Sequence, residues 1–168
     1  WVYFDSVASA GNMMGIIAKW PSTAGQRSYK FALSTAGDSI TSLRFSNSSN
    51  GTLQTNASVD WTPSLTTWYH VAVAYNAAAG TANFYVDNAQ QGTEQTGLDG
   101  NIFDGTAPFG ISAGETSVAG EFLNGRVDDV RVWNVTRTAS EITGNYQKEL
   151  SGSEIGLVGY WPLNIDLT

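Results

Sequence analysis

Apolar and polar positions alternate with a period of two over most of this chain, as in strands that bury one face. Residues 14–20 read as such a strand and stop at Pro21. Residues 29–33 and 40–45 follow, each bounded by clusters of Gly, Ser, Asn or Asp. Residues 1–5 are short and aromatic, and residues 46–51 are a loop by composition. The clearest alternation runs over residues 67–75. There Trp68, His70, Ala72 and Ala74 share one face, and Tyr69, Val71, Val73 and Tyr75 the other. Both faces carry apolar groups, which predicts a central strand. Residues 76–80 turn the chain into residues 81–87 as a hairpin partner. Residues 108–112 read as a short strand, 122–133 as the last long one, and 155–163 as a final strand with Pro162 near its end.

One helix signal interrupts this pattern. Thr138, followed by Ala139, Ser140 and Glu141, makes a capping box: the hydroxyl takes a free amide and the carboxylate reaches back to the cap's own N–H. Ile142, Tyr146 and Leu150 then fall at helical spacing on one apolar stripe. Many strands, antiparallel hairpins and one helix predict an all-β fold: a two-sheet antiparallel jellyroll sandwich with one short C-terminal helix. Residues 1–152 are expected to form the jellyroll. Residues 153–168 are an extra strand that completes this domain or a neighbouring one, or starts a following repeat.

Composition narrows the functional classes. The 168 residues suit one domain, and 42% hydrophobic against 14% charged residues supports a core and argues against disorder. The net charge is −7, with only 8 Lys and Arg. Nucleic acid and anionic membrane surfaces, which both need clustered cations, are therefore not expected as partners. No cysteine is present, which removes disulfides, thiol catalysis and thiolate metal sites. No apolar run is long enough to span a bilayer. No signal peptide stands at the start, where Trp1 lies inside a strand pattern, and the chain is read as a processed product or part of something longer.

The order and spacing of residues 68–75, 84–87, 109–111, 122–134 and 138–142 resemble the laminin-G-like (concanavalin A-like lectin/glucanase) jellyroll in its bacterial extracellular form. The resemblance covers nearly the whole chain. It implies a secreted or cell-surface location. Its functional range is wide, because this fold carries lectins, adhesion modules, polysaccharide-binding modules and glucanases. One departure stands out. Members usually open with a strand like residues 157–164 (Leu-Val-Gly-Tyr-Trp-Pro-Leu-Asn), which here comes last. A jellyroll without its first strand exposes a sheet edge, so assembly of copies through the C-terminal strand is a further expectation.

Catalysis is not expected. Glucanases on this fold place two or three carboxylates on alternate positions of one strand, and no strand here has them. Asp128 and Asp129 are adjacent and point to opposite faces, and no nucleophile elbow accompanies His70, the single histidine. His70 is read as a packed residue of the sheet. Regular alternation places Asp128 with Val130 and Val132 on one face, and Val127, Asp129, Arg131 and Trp133 on the other. If the first face is core, the Asp128 carboxylate needs a partner. A structural calcium ion, backbone amides or His70 are the alternatives. Asp129 and Arg131 read as a surface pair, with Arg131 free to stack on Trp133.

The aromatic residues offer the remaining chemistry. Exposed rings stack on the apolar faces of sugars, with amides fixing hydroxyls. Trp20, Trp61 and Tyr75 stand at strand ends or beside turns and are the candidate platforms, with Asn50 and Asn56 to assist. The expected function is a non-catalytic extracellular recognition or adhesion module for polysaccharide or cell-surface glycans. The alternatives are a structural repeat or filament subunit assembled by strand donation, and a glucanase-like enzyme with an unrecognised carboxylate motif.

Overall fold

A computed structural model describes residues 1–7, 13–117 and 120–163. In chain order its strands are β1 (Val2–Phe4), β2 (Met13–Lys19), β3 (Tyr29–Ala36), β4 (Ser39–Asn47), β5 (Thr55–Asp60), β6 (Trp68–Tyr69), β7 (Val71–Asn76) and β8 (Thr81–Val86). After them come β9 (Ala89–Gln95), β10 (Gly110–Ile111), β11 (Ala113–Glu115), β12 (Gly120–Phe122), β13 (Gly125–Val127) and β14 (Val130–Trp133). The helix α1 (Ala139–Asn145) and β15 (Leu157–Trp161) complete the described chain.

One layer is a five-stranded sheet in the order β10-β2-β3-β4-β5. The other is built from β7-β8-β9, β13-β1-β6 and the pair β14-β15, with β11-β12 as a small separate ribbon. Each pairing is antiparallel. The core lies between the layers. Met14, Phe31, Leu33, Leu43 and Phe45 from the first meet Val2, Phe4, Phe84, Val127 and Val130 from the second. Met14, Leu33, Leu43, Val2, Phe4 and Phe84 have no exposed surface. Burying each such side chain contributes about 1.5–3 kcal/mol. The fold is thus the all-β sandwich that the alternation predicts.

Three strands were not anticipated from the pattern: β5, β9 and the short β11 of the small ribbon. β5 inserts only Ala57 and Val59 into the core, and β9 is mostly exposed. β5 and β9 lie at sheet edges, where polar side chains dominate and the apolar signal fades. The long strand expected over residues 122–133 is broken into three. The first break falls at Leu123 and Asn124 and the second at Asp128 and Asp129, where Asp129 adopts a positive φ of 51°. Between β13 and β14 the Asp128–Asp129 break adds one residue, as a bulge does. Val127 and Val130 consequently both point into the core. This corrects the facing expected from regular alternation, which put them on opposite sides. Residues 157–161, the strand expected to end the chain, pair with β14 of the same chain.

The capping box forms as the sequence predicts. Thr138 Oγ1 accepts from Glu141 N (3.2 Å) and Glu141 Oε2 from Thr138 N (2.8 Å). That backbone hydrogen bond, helped by the Thr138 hydroxyl and Arg137, lowers the Glu141 pKa.

Candidate functional site

The centre of the second layer is set by β1. Val2 and Phe4 point inward and are fully buried, so Tyr3 must point outward. Its cross-strand neighbours are Trp68 on β6 and Arg126 on β13. These three make one row across the outer face. The Tyr3 and Trp68 rings lie 5.5 Å apart and tilted, and the Arg126 guanidinium sits 4.8 Å from the Tyr3 ring. Asp5 stands 3.8 Å from Arg126. Tyr3 and Trp68 keep part of their surface exposed. Aromatic faces, a cation and a carboxylate are thus presented side by side. This row was missed in the sequence because Tyr3 looked like one residue of an aromatic run. The signal that finds it is the pairing of two alternating strands.

A second row lies two residues along. The Trp1 ring meets His70 edge-on at 5.6 Å and stacks on Tyr146 at 6.1 Å, and Trp1 Nε1 donates to the Tyr146 carbonyl (3.2 Å). His70 is held at its backbone, where its N–H donates to Asp87 Oδ1 (2.8 Å) and its carbonyl accepts from Asp87 N (2.9 Å). Its Nδ1 is buried with no hydrogen-bond partner. Burial, reinforced by the N-terminal ammonium and Arg131, lowers its pKa to about 3. His70 is therefore a neutral packed ring at physiological pH.

Beside this row lies a cavity of about 430 Å³ between β7 and β14. Phe31, Phe45 and Val73 line it from the core side, and Ile142 and Tyr146 from the helix. Arg131 secures one wall. Its Nε and Nη2 reach Asp129 (3.0 and 2.5 Å), Nη1 donates to the Asn145 carbonyl (2.8 Å), and Nη2 also donates to the Lys148 carbonyl. The Arg131 and Asp129 side chains are only 10% and 17% exposed. The pair is thus part of the interior, correcting the expected surface pair, and it ties the end of the helix to β14. The Arg131 guanidinium stands over Tyr160 at 6.0 Å, while Trp133 is covered by Arg137 at 4.2 Å.

The residues singled out in the sequence are scattered. Trp20 is 4% exposed, with Arg27 and Lys30 each 5.6 Å from its ring. Trp61 is 9% exposed and packs edge-on against Tyr69 and Phe4. Both rings are spent on packing. Tyr75 rests 5.3 Å from Phe45, and its hydroxyl donates to the carbonyls of Asp99 and Gly100 and accepts from Asn47. Burial raises its pKa. Asn50 is exposed but its Oδ1 holds the loop through Thr52 N and Leu53 N, both at 2.9 Å. Asn56 is exposed on edge strand β5, where Ser46 Oγ donates to it at 2.7 Å. The structure does not gather these five into one surface.

Asp128 is partly buried, and its Oδ1 caps Asp129 N at 2.8 Å. Its carbonyl accepts from the Trp1 ammonium at 2.7 Å. Its neighbour Asp129 is committed to Arg131, and no group of three His, Cys, Asp or Glu gathers among the described residues. Backbone capping is the partner that Asp128 has.

The two layers and the single capped helix define an all-β sandwich protein. The chain belongs to the concanavalin A-like lectin/glucanases superfamily, whose laminin-G model matches residues 1–143. Among solved structures it is similar to a "putative carbohydrate binding protein" from Bacteroides ovatus (TM-score 0.72, 20% identity), covering 98% of this chain and 44% of that one. It is also similar to a native heptameric SAP-like pentraxin from Limulus polyphemus (TM-score 0.62, 16% identity), covering 84% of this chain and 64% of that one. The chain thus spans less than two thirds of either relative, and at these identities the likeness is one of fold. No curated protein matches it. No helix among the described residues is long and apolar enough to cross a membrane.

Proposed function

We propose that this chain is a non-catalytic, extracellular recognition module that binds glycans on the outer face of the second layer. The observation that carries the reading is the row Trp68–Tyr3–Arg126. Two part-exposed aromatic rings offer flat apolar faces, and Arg126 and Asp5 offer a donor and an acceptor for hydroxyls beside them. The strands fix the backbones of Tyr3, Trp68 and Arg126, so little ordering is needed on binding. The fold and the likeness to the Bacteroides ovatus protein support the same class of ligand.

The test is isothermal titration of the intact chain with xylan, mannan and mixed-linkage β-glucan. Trp68→Ala and Tyr3→Ala are each expected to weaken binding at least tenfold, a loss of about 1.4 kcal/mol or more. Near-UV circular dichroism confirms that the variants keep their fold. Full affinity in both variants, for a polysaccharide that the native chain binds, sinks the assignment to this row.

A further inference from the structure

The outer side of the first layer, opposite the Tyr3 row, carries a cation that the fold does not use. On β4, Leu43 and Phe45 point into the core, so Arg44 between them points outward. Register places it in a row that runs Gly15, Ala32, Arg44 and Ser58 across β2, β3, β4 and β5. The row starts beneath the β11–β12 ribbon, because a Cβ on Gly15 would stand 2.0 Å from Gly114 N. The ribbon walls that end, and the other end is open at edge strand β5.

Among the described residues Arg44 has no ion pair, while Lys19, Lys30, Arg126, Arg131 and Arg137 each have one. Its Nε is buried without a hydrogen-bond partner. A buried donor in that state is costly, and a guanidinium cannot shed its charge to relieve it. Neither Glu121 nor Asp60 serves it. Glu121 is bound to Lys30 at 2.8 Å, and Asp60 stands opposite Ser42, two residues along from Ser58. The Arg44 side chain is only part-exposed, and Ala32 beside it has no exposed surface, so the guanidinium is held against the sheet.

The surroundings narrow what this cation can meet. The backbone of β4 is paired with β3 on one side and β5 on the other, so an added peptide strand finds no ladder to join. A ligand here meets side chains alone. Ser42 and Ser58 stand next to Arg44 along and across the strands, with Asn56 beyond Ser58 on the same face of β5. Hydroxyls and amides both donate and accept, which suits a ligand rich in hydroxyls.

We propose that Arg44 anchors a second binding site, which takes the carboxylate of a hexuronic acid residue in an acidic polysaccharide. The planar guanidinium matches the carboxylate, and the serines beside it take the sugar hydroxyls. The site lies on the opposite side of the sandwich from Trp68 and Tyr3, so it does not depend on the glycan site assigned to that row.

The probes are hexagalacturonate and hexamannuronate, titrated into the intact chain by calorimetry. At least one is expected to bind, and its carboxyl methyl ester, the same sugar without the charge, at least tenfold more weakly. Arg44→Gln is expected to lose at least tenfold in affinity. Arg44→Lys keeps the charge without the fork and is expected to fall between. Both variants should keep the native Tm, because no protein partner is lost. In the native chain the Arg44 Nε–H resonance, assigned by its absence from the spectra of both variants, should shift as the uronate is added. No binding of either acid, equal binding of acid and ester, or an unmoved Arg44 resonance on binding overturns the proposal. So does undiminished affinity in Arg44→Gln. Binding that vanishes in Trp68→Ala also overturns it and moves the ligand to the other face. Hexa-aspartate bound as tightly as the uronate overturns it in favour of an acidic peptide.

Discussion

His70 makes a sharp pH prediction. Its ring is enclosed by Trp1 and Tyr146, its Nδ1 has no partner, and its pKa falls from 6.5 to about 3 through burial first, then through the N-terminal ammonium and Arg131. Between those two values the unfolded chain binds a proton that the folded chain refuses. The stability linked to His70 is therefore complete above about pH 6.5 and declines as pH drops toward 3. Integrating that difference from pH 7 to pH 5 gives a loss of about 2 kcal/mol, or roughly 4–8 °C in Tm. The amino terminus, whose pKa burial lowers to about 6, titrates in the same window, so the measurement must be a comparison. The lowered carboxylates of Glu141 and Glu154 act only below about pH 4.5. His70→Phe keeps an aromatic ring in the packing and removes the titrating group. Urea melts of both proteins at pH 7 and pH 5 should show the native chain losing about 2 kcal/mol more than the variant. Equal losses would refute the claim that His70 is buried neutral.

Two further outcomes follow from packing and pairing. A methyl added at Gly15 meets the Gly114 backbone at 2.0 Å, and backbone cannot yield as a side chain tip can, so Gly15→Ala should cost about 3 kcal/mol or more in a denaturant melt. Lys30 Nζ lies 2.8 Å from Glu121, with the lysine side chain only 8% exposed, so Glu121→Gln leaves a buried cation and should cost about 2 kcal/mol; adding Lys30→Met should recover part of that loss in a double-mutant cycle.

The alternation of residues 67–75 gave the right facing, because Tyr69, Val71, Val73 and Tyr75 do pack against the core, but the single central strand it predicts is split at His70 into β6 and β7, each at the edge of its sheet. Thr138 and Glu141 likewise announced the helix, since capping is a local reaction between neighbours. What failed depends on backbone shape that composition does not encode. Asp129 at positive φ resets the phase of β14, and no hydrophobic pattern marks it. Trp20 and Trp61 were chosen as platforms by their place at strand ends, but a ring's exposure is decided by partners distant in sequence, such as Phe4 for Trp61. The row Trp68–Tyr3–Arg126 was hidden for the same reason. It joins three segments whose register appears only once the sheet is assembled.

The position of β1 between β6 and β13 also bears on how the domain is made. Val2 must find Val127, 125 residues away, as well as Tyr69. Closing so long a loop carries an entropy cost that local contacts do not repay in advance, and such topologies fold in milliseconds to seconds. On the ribosome the second edge of β1 stays open until Val127 has left the exit tunnel. At about 5–20 residues per second that interval is several seconds long. For that time the nascent chain carries an aromatic, unpaired strand, and chaperones have their window on this protein there.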